Sequence, residues 1–102
     1  MEERQKLLSV INEVTSFPEL HLGKPSLERL YAFIGGYLHH NEDADDHCMD
    51  GFNEYVAERT GVHTSHNWSS IIPFVSASEG EAFNTFIRLF KEFQKIKQEG
   101  NL

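Results

Sequence analysis

The chain has a single cysteine, Cys48, among 102 residues. One thiol cannot close an internal disulfide, and a structural zinc site built on several cysteines is excluded. No apolar run approaches the ~20 residues that a membrane-spanning helix needs. Cations are scarce: 9 Lys and Arg stand against 16 Asp and Glu, a formal net charge of −7. Phosphate contacts need clustered cations, so direct binding to nucleic acid or to an anionic membrane is disfavoured. The opening Met-Glu-Glu-Arg-Gln-Lys has neither the basic start nor the apolar stretch of a secretory signal. A cytoplasmic location is the expectation.

What is present is aromatic bulk and helical spacing. Eight Phe, three Tyr and one Trp within a 39% hydrophobic chain suffice for one compact core, so residues 1–102 are read as a single domain. Leu7, Leu8, Ile11 and Val14 predict a first helix over about residues 2–16, ended by Phe17-Pro18 because the residue before proline leaves the α region. Residues 18–25 read as a connection. Ser26 is placed to cap a second helix, with Leu27, Leu30, Ile34 and the Tyr37/Leu38 pair on one face. The adjacent Gly35 and Gly36 suggest a close helix crossing.

A third helix is expected over about 45–60, with Cys48, Phe52, Tyr55 and Val56 on its buried side and Gly61 as its cap. Trp68, Ile71, Ile72 and Val75 form either a short fourth helix interrupted by Pro73 or an edge strand over Ile71–Val75. Ser78 with Glu81 fits a capping box, with Ser76 and Glu79 as the competing frame. Beyond it, Ala82, Phe83, Phe86, Ile87, Phe90 and Phe93 give a broad apolar face through about residue 97. The fold class is all-α, a bundle of four to five helices.

Charge is concentrated in one segment. Residues 42–58 hold Glu42, Asp43, Asp45, Asp46, Asp50, Glu54 and Glu58 and no Lys or Arg, while the remaining nine acids are balanced by nine bases. If 45–60 is one helix, Asp46, Asp50, Glu54 and Glu58 fall within an arc of roughly 120°, opposite the apolar side. Like charges at i,i+4 weaken a helix by a few tenths of a kcal/mol per pair, so an uncompensated stripe suggests a use. That use is to steer a basic partner onto the surface. On this reading, neutralising Asp46, Asp50 and Glu54 leaves folding intact or raises stability slightly.

Other chemistry is weaker. His40, Asp43, His47 and Asp50 could converge on a metal if the second and third helices were continuous, which makes a small metal-dependent enzyme the alternative reading. No His-Glu-x-x-His spacing supports it, and a solvated loop is the favoured interpretation. Cys48 beside His47 lacks an orienting third group, so it reads as a buried thiol. Trp68 is read as core in preference to a partner contact. The expectation is a chain without catalytic residues, metal or cofactor.

Four runs resemble small bacterial immunity proteins, the antidotes encoded beside contact-dependent growth inhibition toxins. They are Ser-Leu-Glu-Arg-Leu-Tyr-Ala-Phe-Ile-Gly-Gly-Tyr (26–37), Gly-Phe-Asn-Glu-Tyr-Val-Ala (51–57), Trp-Ser-Ser-Ile-Ile (68–72) and Glu-Ala-Phe-Asn-Thr-Phe-Ile-Arg-Leu-Phe-Lys-Glu-Phe (81–93). The resemblance implies a cytoplasmic protein that binds one cognate toxin domain, often a nuclease, and blocks its active site. Combined with the charge pattern, it makes Glu42, Asp43, Asp45, Asp46, Asp50, Glu54 and Glu58, together with Tyr37 and His39, the candidate partner-binding residues. The partner expected is a basic toxin nuclease domain whose active-site cleft the acidic surface occludes.

Overall fold

The computed structural model describes residues 5–100. The described residues are all-α, with six α-helices, one turn of 3-10 helix and no strand. The chain divides into two compact units, one ending at Cys48 and the other beginning at Met49.

The first unit holds α1 (Leu7–Ser16), α2 (Pro18–Leu22), α3 (Leu27–His40) and a 3-10 turn at Glu42–Ala44. Leu7, Val10, Ile11 and Val14 are buried on α1, and Leu27, Leu30 and Ile34 on α3, at the spacing the sequence shows. Helix α1 packs on both α2 and α3, and α3 packs on the 3-10 turn. The first helix begins at Leu7 because Lys6 is extended, with φ −71° and ψ 155°; the expected positions 2–4 lie outside the described residues. Residues 18–25 are not simply a connection. Pro18 opens a short helix, which suits a residue with fixed φ and no N–H to leave unsatisfied. Gly23, at φ +85°, ends it, and Arg29 donates from Nη1 to the Leu22 carbonyl at 2.7 Å. Ser26 caps α3 as expected, its Oγ accepting the Arg29 N–H at 3.2 Å.

The Gly35-Gly36 pair does not mark a close crossing. Both glycines are exposed, and a Cβ on either would meet nothing within 4 Å. They lie on the open side of α3, where they weaken the helix without a packing return.

The second unit holds α4 (Phe52–Thr60), α5 (Trp68–Phe74) and α6 (Glu79–Gln98), each packed on the other two. Phe52 is fully buried, with ring centroids 5.4–5.8 Å from those of Trp68, Phe86, Phe90 and Phe93. Trp68 itself lies 4.9 Å from Phe86, so it is core, as expected. The fourth apolar run is a helix and not an edge strand: Trp68, Ile71 and Ile72 are buried at helical spacing, and Pro73 falls in the last turn. Two asparagines start this helix. The Asn67 carboxamide oxygen accepts the Ser69 N–H at 2.9 Å, and Asn53 of α4 accepts the Trp68 N–H at 2.9 Å. Ser78 is the cap of α6, accepting the Glu81 N–H at 3.1 Å, while Glu81 reaches back to the Ala77 N–H at 3.2 Å. The reciprocal bond of the capping box thus lands one residue earlier than the usual pattern.

The expected helix over 45–60 is the main correction. Helix begins only at Phe52. Asp45 Oδ1 accepts the His47 N–H at 2.9 Å and Asp46 Oδ1 the Cys48 N–H at 3.2 Å, side-chain bonds that compete with helical pairing. His47 takes φ +62° and Gly51 φ +88°, so the backbone turns twice before α4. Cys48 is buried nonetheless, as the sequence suggests.

Asp46 also accepts the Leu8 N–H at 3.1 Å through Oδ2, satisfying a first-turn donor of α1 from 38 residues away. Partial burial works to raise the pKa of this carboxyl. The bonds from Leu8 and Cys48 outweigh it and hold the value below the ordinary one. The folded-state pKa is therefore depressed, so the stabilisation is present above the unfolded value of about 3.9 and is lost as pH falls through the folded one. Asp46→Ala is expected to lower stability near neutral pH by about 1 kcal/mol, as for loss of a helix cap. In urea melts the difference from wild type should shrink below about pH 4. In the second unit, Phe52→Ala is expected to cost about 3–5 kcal/mol and Phe52→Leu distinctly less, read from the same melts.

Candidate acidic surface

The structure places the candidate partner-binding residues on two surfaces, one in each unit. On the first unit, Glu42, Asp43, Asp45 and Asp46 follow α3, and all four are exposed by residue. Their backbone and side chains are partly engaged locally. Lys6 donates from Nζ to the Asp43 carbonyl at 3.0 Å, and Asp45 and Asp46 hold the turn described above. Asp46 thus serves the fold, which removes it from the set whose neutralisation is harmless. Tyr37 is half-buried and donates its hydroxyl to the Gln5 carbonyl. His39 is exposed, its ring edge-on to His40 at 5.0 Å.

On the second unit, Asp50, Glu54 and Glu58 are exposed on α4 and the turn before it. They rim a groove of about 580 Å³. Its floor is formed by the rings of Tyr55 and Phe93, 5.3 Å apart and inclined at 43°. Lys97 of α6 closes one side, with Nζ 5.2 Å from the centre of the Phe93 ring. Gly51 closes another, and a Cβ there would touch that ring at 3.5 Å.

The cation nearest in sequence to these acids does not neutralise them. Arg59 donates from Nη1 to the Tyr55 hydroxyl at 2.9 Å and is paired with Glu92 of α6. The Tyr55 hydroxyl in turn donates to Glu92 Oε1 at 3.0 Å. Partial burial raises the Tyr55 pKa, and the Glu92 carboxylate adds to the rise against the opposing pull of Arg59. Among the described residues, no hydrogen bond or ion pair engages the carboxylates of Glu54 or Glu58.

Sequence reasoning placed Tyr55 on the buried side of α4 and Phe93 on an apolar helix face, and it gave Lys97 no place at a site. That the three share a groove with the acids follows only from how α4 lies on α6. The grouping required by a metal-dependent enzyme does not form. Among the described residues no three His, Cys, Asp or Glu side chains come together as a metal site. Nor is any described helix long and apolar enough to cross a membrane.

No family model, curated protein or solved structure matches the chain.

Glu54 and Glu58 stand one helical turn apart with no cationic partner among the described residues, so their mutual repulsion weakens α4. Glu54→Gln with Glu58→Gln is expected to raise stability by about 0.2–0.5 kcal/mol. The gain should disappear when the thermal melts are repeated in about 1 M salt, where the Debye length is near 3 Å.

Proposed function

We propose that this chain is an immunity protein that binds and neutralises a cognate contact-dependent growth inhibition toxin domain, a basic nuclease whose active-site cleft it occludes. The chain acts by binding and carries out no catalysis of its own. One observation carries the reading. The net charge of −7 resides in residues 42–58, and the acids of that segment are exposed on both units. An inhibitor of a nuclease must compete with a polyanion for a cationic cleft, and a concentrated negative surface supplies both the steering field and the complementary contacts. The resemblance of the four runs 26–37, 51–57, 68–72 and 81–93 to immunity proteins points the same way. An inhibitor of this kind works in the cytoplasm of the cell it protects.

The direct test is protection: co-expression with the toxin encoded beside the gene should rescue growth, and the purified pair should form a stable complex. Replacing Asp50, Glu54 and Glu58 by Asn, Gln and Gln should slow toxin association at low salt and flatten its salt dependence, as measured by stopped flow. Neutralising Glu2, Glu3 and Glu99 changes the net charge equally, and this variant should keep rates close to wild type. Identical association rates for the two triple variants would reduce the acids to solubilising groups.

A further inference from the structure

The groove on the second unit has more structure than a patch of negative charge. Its rim is acidic, but its floor is aromatic, and both floor rings already hold a cation of this chain. The Lys97 ammonium lies 5.2 Å from the Phe93 ring centre, and the Arg59 guanidinium lies 5.8 Å from that of Tyr55. Aromatic faces attract cations through their quadrupole, and a guanidinium also stacks flat on a ring while its N–H groups reach carboxylates in its own plane.

We propose that this groove is a receptor for an arginine side chain presented by a basic segment of the partner protein. The incoming guanidinium stacks on Phe93 in the place Lys97 holds, and it donates hydrogen bonds to the carboxylates of Glu54 and Glu58. Lys97 acts as the resident surrogate that the guest displaces. Three features fit this occupant. The two glutamates recur at i,i+4 on α4 and both line the groove, within reach of one guest. Gly51 holds φ +88°, and without a side chain it packs its backbone close to the Phe93 ring, which a Cβ would touch at 3.5 Å. The Arg59–Glu92 pair and the Tyr55–Glu92 hydrogen bond brace α4 against α6, so the floor is formed before the guest arrives. The inference rests on the toxin-binding reading for the identity of the partner, while the groove's preference for arginine stands on its own geometry.

The test uses the full chain and two short capped glycine-serine peptides, one bearing a pair of arginines and the other a pair of lysines, titrated by amide NMR. The arginine peptide should move the resonances of Gly51, Tyr55 and Lys97 and bind about twofold to fivefold more tightly than its lysine twin, since a guanidinium stacks flat and forks onto two carboxylates where an ammonium is a point charge. Glu54→Gln with Glu58→Gln should weaken it about threefold to tenfold, two exposed charge pairs at ordinary strength. Lys97→Met should strengthen it more than Lys95→Met, which removes the same charge from an exposed site on the same helix. The proposal is overturned if no groove resonance moves, if the two peptides bind alike, or if the two lysine variants are indistinguishable. Toxin measurements separate it from the functional reading. Full protection and unchanged affinity in the Glu54→Gln, Glu58→Gln variant would sink the groove and leave neutralisation standing. An arginine-selective groove in a chain that protects against no adjacent toxin would do the reverse.

Discussion

The burial of Phe52 is the contact on which the second unit depends. One side chain at the first position of α4 meets Trp68 of α5 and Phe86, Phe90 and Phe93 of α6. Aromatic rings that meet edge-on gain more than their buried area alone supplies. Four rings around one centre also leave few alternative packings, because interiors are close-packed. Once Phe52 is seated, the azimuth of α4 is set. Phe52 and Val56 face inward, Glu54 and Glu58 face outward, and Tyr55 is left at the boundary against Phe93. The acidic groove is thus a by-product of core packing, with its floor borrowed from the edge of the aromatic cluster.

The acids divide between two tasks. Asp45 and Asp46 shape the chain, since their short side chains satisfy N–H groups that a continuous helix would have paired with carbonyls. Asp46 has a further hold on the start of α1 through Leu8. Glu54 and Glu58 shape nothing locally and strain their helix slightly. The difference lies in side-chain length and place: an aspartate two residues before a free N–H closes a turn, whereas a glutamate in mid-helix points to solvent. Neutralising the segment as a whole would therefore mix a folding effect with a binding effect, and only the α4 acids report on the surface alone.

Arg59 illustrates how charge counting along the chain can mislead. It follows Glu58 directly and could have offset the acidic run. It is instead drawn across to Glu92 and the Tyr55 hydroxyl, where it fastens α4 to α6. Lys97, at the far end of the longest helix, is the cation that comes to the groove.

Much of the helical architecture was legible from local pattern. Leu7, Ile11 and Val14, or Phe83, Phe86, Phe90 and Phe93, repeat at helical spacing, and Ser26 and Ser78 mark the starts of α3 and α6 through oxygens that accept N–H groups three residues on. These signals act within one or two turns, so the sequence by itself determined the all-α class, the burial of Trp68 and Cys48, and the segment that carries the charge. It did not determine where α4 begins, because the helical pattern around Cys48 competes with turns made by Asp45, Asp46 and Gly51, and the Leu8 N–H that engages Asp46 lies 38 residues distant. Gly35 and Gly36 were equally ambiguous, since a glycine pair reads alike on a crossing face and on an open one. Tertiary packing alone decided that Tyr55, Phe93 and Lys97 share a groove with Glu54 and Glu58, for that depends on the angle at which one aromatic side chain locks two helices together.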